Sequence, residues 1–440
     1  MLVATTFVAL ATICPQHTHS QEAPPTPARS ITILYSSNTN GIIRSCRCPG
    51  NLFGSLPQWA KVINDIRKKG RPVLLVDPGG LFPPKDDKLK AEYVLRCYAV
   101  MDYDAIGIGQ TEFACGAPYL GEMMEESELP FTSANIVAGK GGPHIAPPKR
   151  ILDVSGIKVA VISIVAPKTF GSLKGGCPDG IALLDPREQL KKHIAEVQEQ
   201  VDLIVVLSHQ GLAEDKATAM WVGGIDVIVG GHSGDVLRDP VKVGRTLIVQ
   251  AGKNAEYIGA LDLTLDQEGG IVRYKNEITP LTAQIPNDRE VAEIAEDYRA
   301  AKFTAMGRMP LQAPPADVPQ FVPSAGCKKC HEKQFAAWSG TTHARAFETL
   351  QKHKRQNDPE CYYCHTTGYG IKTGFRSVAE TPELASVQCQ GCHLVAVTHG
   401  DNKEFVIVPK PISGATCLIC HTTFNSPKFD YEQYLAKVKH

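Results

Sequence analysis

Four pentads near the end of the chain combine residue types and a spacing that suit one chemistry: CKKCH (327–331), CYYCH (361–365), CQGCH (389–393) and CLICH (417–421). Two thiols three positions apart can close thioethers on the two vinyl groups of a haem, and the His that follows ligates the iron from the proximal side. The thioether donors would be Cys327, Cys330, Cys361, Cys364, Cys389, Cys392, Cys417 and Cys420, and the proximal ligands His331, His365, His393 and His421. A single pentad would suit zinc or a redox dithiol equally well. Four of them in one segment weigh against a zinc ribbon or a disulfide frame and predict four covalently bound haem c groups.

A haem iron also has a distal face, which a neutral imidazole can close. Beyond the proximal set the segment holds His343, His353, His399 and His440, so counting permits four closed haems without choosing among them.

The remaining cysteines are scattered. Of fourteen in the chain, six lie outside the pentads. Cys46 and Cys48 form a Cys-x-Cys beside Arg44 and Arg47, a setting that favours thiolate, and Cys115 sits in the turn "GQTEFACG". These three are the candidate redox thiols, with a structural disulfide as the competing reading for Cys46 and Cys48. Cys97 lies in a helical pattern and is expected to be buried, Cys177 falls on a loop, and His144 and His193 read as surface residues.

Lys plus Arg and Asp plus Glu both number 46, which leaves no electrostatic case for nucleic acid or an anionic membrane as partner. Residues 2–14 form the one strongly apolar stretch, too short to span a bilayer and suited to the core of a signal peptide. A leader over 1–20, and periplasmic or otherwise exported localisation, are therefore expected, with no transmembrane segment in the mature chain.

From residue 31 to about 307, β-branched runs such as "ITILYSS", "RPVLLVD", "KVAVISIVA" and "DLIVVLSH" alternate with helical patterns such as "LPQWAKVINDIRKKG" and "DPREQLKKHIAEVQEQ". This predicts a layered α/β sandwich over 21–308. A Pro-rich stretch at 309–326 reads as a linker, and 327–440 reads as a small, mostly helical multihaem domain whose cofactors would stand in for a core.

Two resemblances sharpen these expectations. "CKKCHEKQFAAWSGTTHARAFETL", "CYYCHTTGYGIKTGF", "VQCQGCH" and "CLICHTTFNSPKF" resemble the successive haem segments of the cytochrome c-554 family, tetrahaem electron carriers that partner hydroxylamine oxidoreductase. The resemblance implies distal ligands at His343, His399 and His440, an open haem on His365, a surface position for His353, and a hydroxylamine-oxidoreductase-like or other multihaem enzyme as redox partner. "CHLVAVTH" departs from the family after the third pentad.

The first domain resembles the metallophosphoesterase domain of periplasmic 5′-nucleotidases, in "LPFTSANI", "VVLSHQGLAED", "IDVIVGGHSGDVL" and "IVQAGKNAEYIG". That family holds two divalent ions with carboxylate, imidazole and amide ligands. Following its motifs, the metal-binding positions here are Asn38, Asn40, Gly80, Gln110 and Gly234, with only His209 and His232 kept; Thr111 replaces the further His and Ala114 an Asp. The resemblance therefore implies a catalytically degenerate domain, not an active nucleotidase, serving as docking module or thiol redox site. His209 and His232 remain as possible ligands of one non-haem ion, or as packing residues. The expected function is electron transfer, set against an oxidoreductase acting on a small sulfur or nitrogen compound and against a structural subunit of a respiratory complex.

Overall fold

The computed structural model describes residues 29–45, 53–173, 176–308, 313, 320–393, 412–422, 425–426 and 428–440. The expected leader, Cys46, Cys48 and His399 lie outside the described residues.

Strands β1 (Arg29–Tyr35), β2 (Val73–Asp77), β3 (Ala105–Gly107), β4 (Phe131–Thr132), β5 (Ile136–Ala138), β6 (Lys149–Val154) and β7 (Ile157–Val165) come first. They are followed by β8 (Ile181–Leu183), β9 (Leu203–His209), β10 (Val227–Gly230), β11 (Val241–Val243), β12 (Thr246–Val249), β13 (Tyr257–Leu265) and β14 (Ile271–Pro280). Interspersed are helices α1 (Leu56–Arg67), α2 (Lys88–Met101), α3 (Ala117–Ser127), α4 (Pro186–Val197), α5 (Leu212–Trp221) and α6 (Arg289–Arg308).

The strands build two six-stranded sheets, ordered β14-β13-β1-β2-β3-β4 and β11-β12-β10-β9-β7-β6. Side chains of Ile33, Tyr35, Val76, Val161, Val205, Leu207 and Val229 fill the space between them. A second apolar layer under α1, α2, α3 and α6 centres on Trp59, Tyr98 and Phe82, and a third under α4 and α5 on Leu190, Ile194 and Val222. This is the layered α/β sandwich that the alternation predicted. Inner strands such as β9 are buried on both faces and read as unbroken apolar runs. The edge strands β6 and β14 are half-exposed and polar, which is why apolar runs did not reveal them.

Beyond α6 the elements are short: α7 (Ser324–Cys327), α8 (Glu332–Ser339), α9 (Ala346–Lys352), α10 (Pro359–His365), α11 (Gly414–Leu418) and α12 (Tyr431–Leu435). Phe347 and Leu350 of α9 and Tyr362 of α10 form a small core with Phe321, Phe375 and Leu384. The Gly-rich turn after the second pentad has a steric reason. A Cβ on Gly374 would stand 1.9 Å from the Gly368 carbonyl oxygen, and one on Gly368, at φ +72°, would meet the Phe321 ring at 2.7 Å. Helix α10 packs on α6, so this segment leans on the sandwich. Among the described residues no helix is long and apolar enough to cross a membrane.

Candidate functional site

Two places collect the chemistry. The first lies beyond the carboxyl ends of β1, β2, β3, β9, β10 and β12, where loops of adjacent parallel strands converge. Asn38, Gly80, His209 and His232 meet there. The Asn38 carboxamide is consumed by the backbone: its Oδ1 accepts the His232 N–H at 2.7 Å and its Nδ2 donates to the Gly252 carbonyl at 2.9 Å. Asn40 Nδ2 donates to Asn254 Oδ1 at 3.0 Å. An amide carries both a donor and an acceptor, so it can clip two loops together with no ion between them.

His209 takes space that a side chain at position 80 would need, since a Cβ on Gly80 would stand 2.8 Å from its ring Cε1. The His209 and His232 rings lie edge to face, with centroids 5.4 Å apart. Burial above all, then the neighbouring His232, drives the His209 imidazole down to about 3, so it stays neutral. Both His209 ring nitrogens, His232 Nδ1, Gln110 Oε1 and Thr111 Oγ1 are buried without a hydrogen-bond partner. Even so, no group of three or more His, Cys, Asp or Glu among the described residues surrounds a common point. The donor set does not fit a two-ion centre, which needs carboxylates to offset two dications.

Of the scattered cysteines, Cys97 is fully buried in α2, as expected, and Cys177 is exposed. The Cys115 thiol is pushed up to about 11, first by burial and then by Asp86, against a hydrogen bond with the Asp87 backbone. His193 is not on the surface as its sequence context suggested. It packs under β6 with 3% of its area exposed, its Nδ1 3.0 Å from Glu196, because it falls on the inward face of α4.

The second place is the pentad segment. All eight pentad thiols are unpaired. A haem-ligating His binds through one ring nitrogen while the protein fixes the other. His365 offers Nδ1 to the Ala346 carbonyl at 2.6 Å, and His421 offers it to Ser426 Oγ at 2.9 Å, which leaves Nε2 for a metal. Ser426 could not have been found from spacing. His440 Nδ1 likewise lies 3.0 Å from the Val438 carbonyl.

Imidazoles from distant parts of the segment face one another in pairs. The His343 and His421 ring centroids are 6.1 Å apart, and those of His393 and His440 are 5.7 Å apart. One metal ion between two imidazoles, with a bond of about 2 Å to each and the added distance from each ring nitrogen to its ring centre, would separate the centroids by this order. His343 is held by Val387, whose N–H donates to the His343 carbonyl at 3.1 Å, while the Trp338 indole donates to the Val387 carbonyl at 2.9 Å. Trp338 and His343 are thus both tied to Val387. His353 is exposed. Tyr363, Leu418 and Ile419, inside the pentads, expose large apolar side chains that a bound macrocycle would cover. The segment fits haem c.

A family model described as "Cytochrome c554 and c-prime" matches residues 326–394. The chain is 30% identical over 275 residues to a 5′-nucleotidase of Vibrio cholerae, a match covering 53% of this chain and 48% of that one. It is 27% identical over 294 residues to a snake venom 5′-nucleotidase of Crotalus adamanteus, covering 59% of this chain and 50% of that one. The chain thus spans about half the length of the curated relatives it matches. Among solved structures, a 5′-nucleotidase precursor of Thermus thermophilus superposes with a TM-score of 0.57 at 21% identity, covering 81% of this chain and 73% of that one. A sulfate thiohydrolase, SoxB, of the same organism gives 0.56 at 20% identity, covering 69% and 64%.

The protein class is therefore a fusion: a 5′-nucleotidase-like layered α/β domain followed by a c-type cytochrome segment of the cytochrome c554 kind. The cytochrome segment implies covalently bound haem c and redox partners.

Proposed function

We propose that this chain is an exported tetrahaem electron carrier whose nucleotidase-like domain has lost its two-ion chemistry and serves as a docking or thiol redox module. The observation that carries the reading is the pairing of imidazoles in the pentad segment. His421 with His343 and His393 with His440 would close two haems, and His399 would serve as the third distal ligand, on the haem of His331. The haem of His365 is then open. Bound haem c supplies one-electron transfer at potentials set by axial ligand, burial and hydrogen bonding. The chain's own part is to hold each imidazole in the correct tautomer, through the Ala346 carbonyl and Ser426, and to fix the spacing between pentads. A hydroxylamine-oxidoreductase-like or other multihaem enzyme is the proposed partner class.

The test is mass spectrometry of the mature protein with electron paramagnetic resonance. Four added macrocycles, three low-spin irons and one high-spin iron that takes up CO when reduced are expected, and His343→Ala should convert one low-spin iron to high-spin. Fewer than four macrocycles, or an unchanged spin count in that variant, would sink the proposal.

One observation favours a second reading, in which Cys46 and Cys48 oxidise to a disulfide and release two protons and two electrons, one electron to each of two haems. Arg355, six positions before Cys361, donates to the Ser45 carbonyl at 2.9 Å, and Cys46 is the next residue in the chain. Thiol titration of the fully oxidised and fully reduced protein distinguishes the readings: two thiols fewer on oxidation support it, and an unchanged count rejects it.

A further inference from the structure

The second pentad is joined to the sandwich by charge. Asp358 caps α10, accepting the Glu360 N–H at 3.1 Å, and is clasped by Arg355, whose Nε lies 3.0 Å away. Glu360 immediately precedes Cys361. Among the described residues its carboxylate finds no ion-pair partner within its own segment. It takes Lys90 Nζ from α2 at 2.6 Å and the Tyr298 hydroxyl from α6 at 2.8 Å. Lys90 also sits 5.8 Å from the centre of the Tyr298 ring, and Lys302 on α6 pairs with Asp87 at 2.6 Å, at the cap of α2. Two carboxylates thus flank the attachment point on the haem side, and the cation Lys90 reaches it from the other domain, while Lys302 is paired with Asp87 of its own domain.

Burial alone would push the Glu360 carboxyl up. Lys90 and then Tyr298 more than offset this, and the group lies below the usual range, so it is anionic at neutral pH.

We propose that Lys90 and Tyr298 of the nucleotidase-like domain set the reduction potential of the haem attached at Cys361 and Cys364, by acting on Glu360. The inference rests on the haem reading above. It assigns the first domain an electrostatic role on one haem, through positioning residues that touch neither iron nor substrate. The reasoning follows Coulomb's law. An uncompensated carboxylate one residue from the thioether stabilises the oxidised, more positive haem, and a lysine beside that carboxylate cancels much of the effect. Glu360 keeps 36% of its side chain in contact with solvent, so the influence is partial and screened by salt.

The experiment is spectroelectrochemistry of the full-length holoprotein, following the haem that binds CO. Lys90→Met should move its midpoint to more negative potential, and Glu360→Gln should move it positive. Each shift should correspond to about threefold to tenfold in the oxidised-to-reduced ratio at a set potential, smaller at high salt. The double variant should return close to wild type, and the other haems should stay unmoved. Tyr298→Phe, which deletes one hydroxyl, is the milder variant should Lys90→Met misfold; it should shift the midpoint in the same negative direction. Haem content by mass is measured on each variant. A missing macrocycle at this pentad would overturn the haem reading itself. A full complement with an unmoved midpoint, or with equal shifts in all haems, would overturn this inference alone.

Discussion

Asn38 shows how one atom changes what a site can do. A carboxylate there could accept but not donate, whereas its amide accepts from the His232 N–H and donates to the Gly252 carbonyl, so one side chain ties two loops. Gly80 adopts φ +83° and its missing Cβ would press on the His209 ring, so Gly80→Asp is expected to cost about 1–3 kcal/mol and lower the melting temperature. An unchanged or raised melting temperature would contradict the packing described for His209. A second residue-scale consequence concerns Asp77, fully buried behind the site and raised to about 6, chiefly by burial, against hydrogen bonds from Ser36, the Gly79 N–H and Tyr98. A carboxyl whose folded value is raised stabilises the fold below its unfolded value, and that contribution is lost as pH rises through the folded value. Between pH of roughly 4 and 6 the native protein should lose stability relative to Asp77→Asn, by about 1.4 kcal/mol per pH unit at most. Parallel melting-temperature profiles for the two proteins would refute this.

At the scale of elements, the helix of the second pentad, α10, depends on one small core. Phe375 is fully buried, with its ring centroid 5.1 Å from Tyr362 on α10 and 5.7 Å from Phe347 on α9. Phe375→Ala should cost about 3–5 kcal/mol locally, because so few apolar groups share the load there. Limited proteolysis should then cut the C-terminal segment faster while sparing the sandwich, whose three apolar layers do not include Phe375. Equal protection of both halves would argue that haem attachment, not this cluster, carries the segment's stability. The edge strands β6 and β14 teach a related lesson. Their polar, half-exposed sequences lack the unbroken apolar runs of β7 and β9, so their place in the sheets follows from pairing with β7 and β13.

For the whole molecule, a 5′-nucleotidase-like sandwich whose loops carry Asn38, Gly80 and Gln110 is joined to a c-type cytochrome segment. Purified protein supplied with divalent cations and a nucleoside monophosphate is therefore expected to release no phosphate above the uncatalysed background. Steady, metal-dependent release would show that the domain keeps its inherited chemistry in spite of Asn38, Gly80 and Gln110.

The sequence by itself determined the c-type cytochrome character of the last segment and the alternation that makes an α/β sandwich, because each is written in local spacing and residue type. It placed Cys97 inside the fold but misread His193, since one turn of helix decides which face is covered and the neighbouring strand is not visible in a linear pattern. The tertiary structure alone decided that His343 faces His421 and His440 faces His393, that Asn38 spans two loops, and that Glu360 looks to Lys90 and Tyr298. These contacts join residues scores to hundreds of positions apart, and only the closing of the chain around its cores brings such groups within bonding distance.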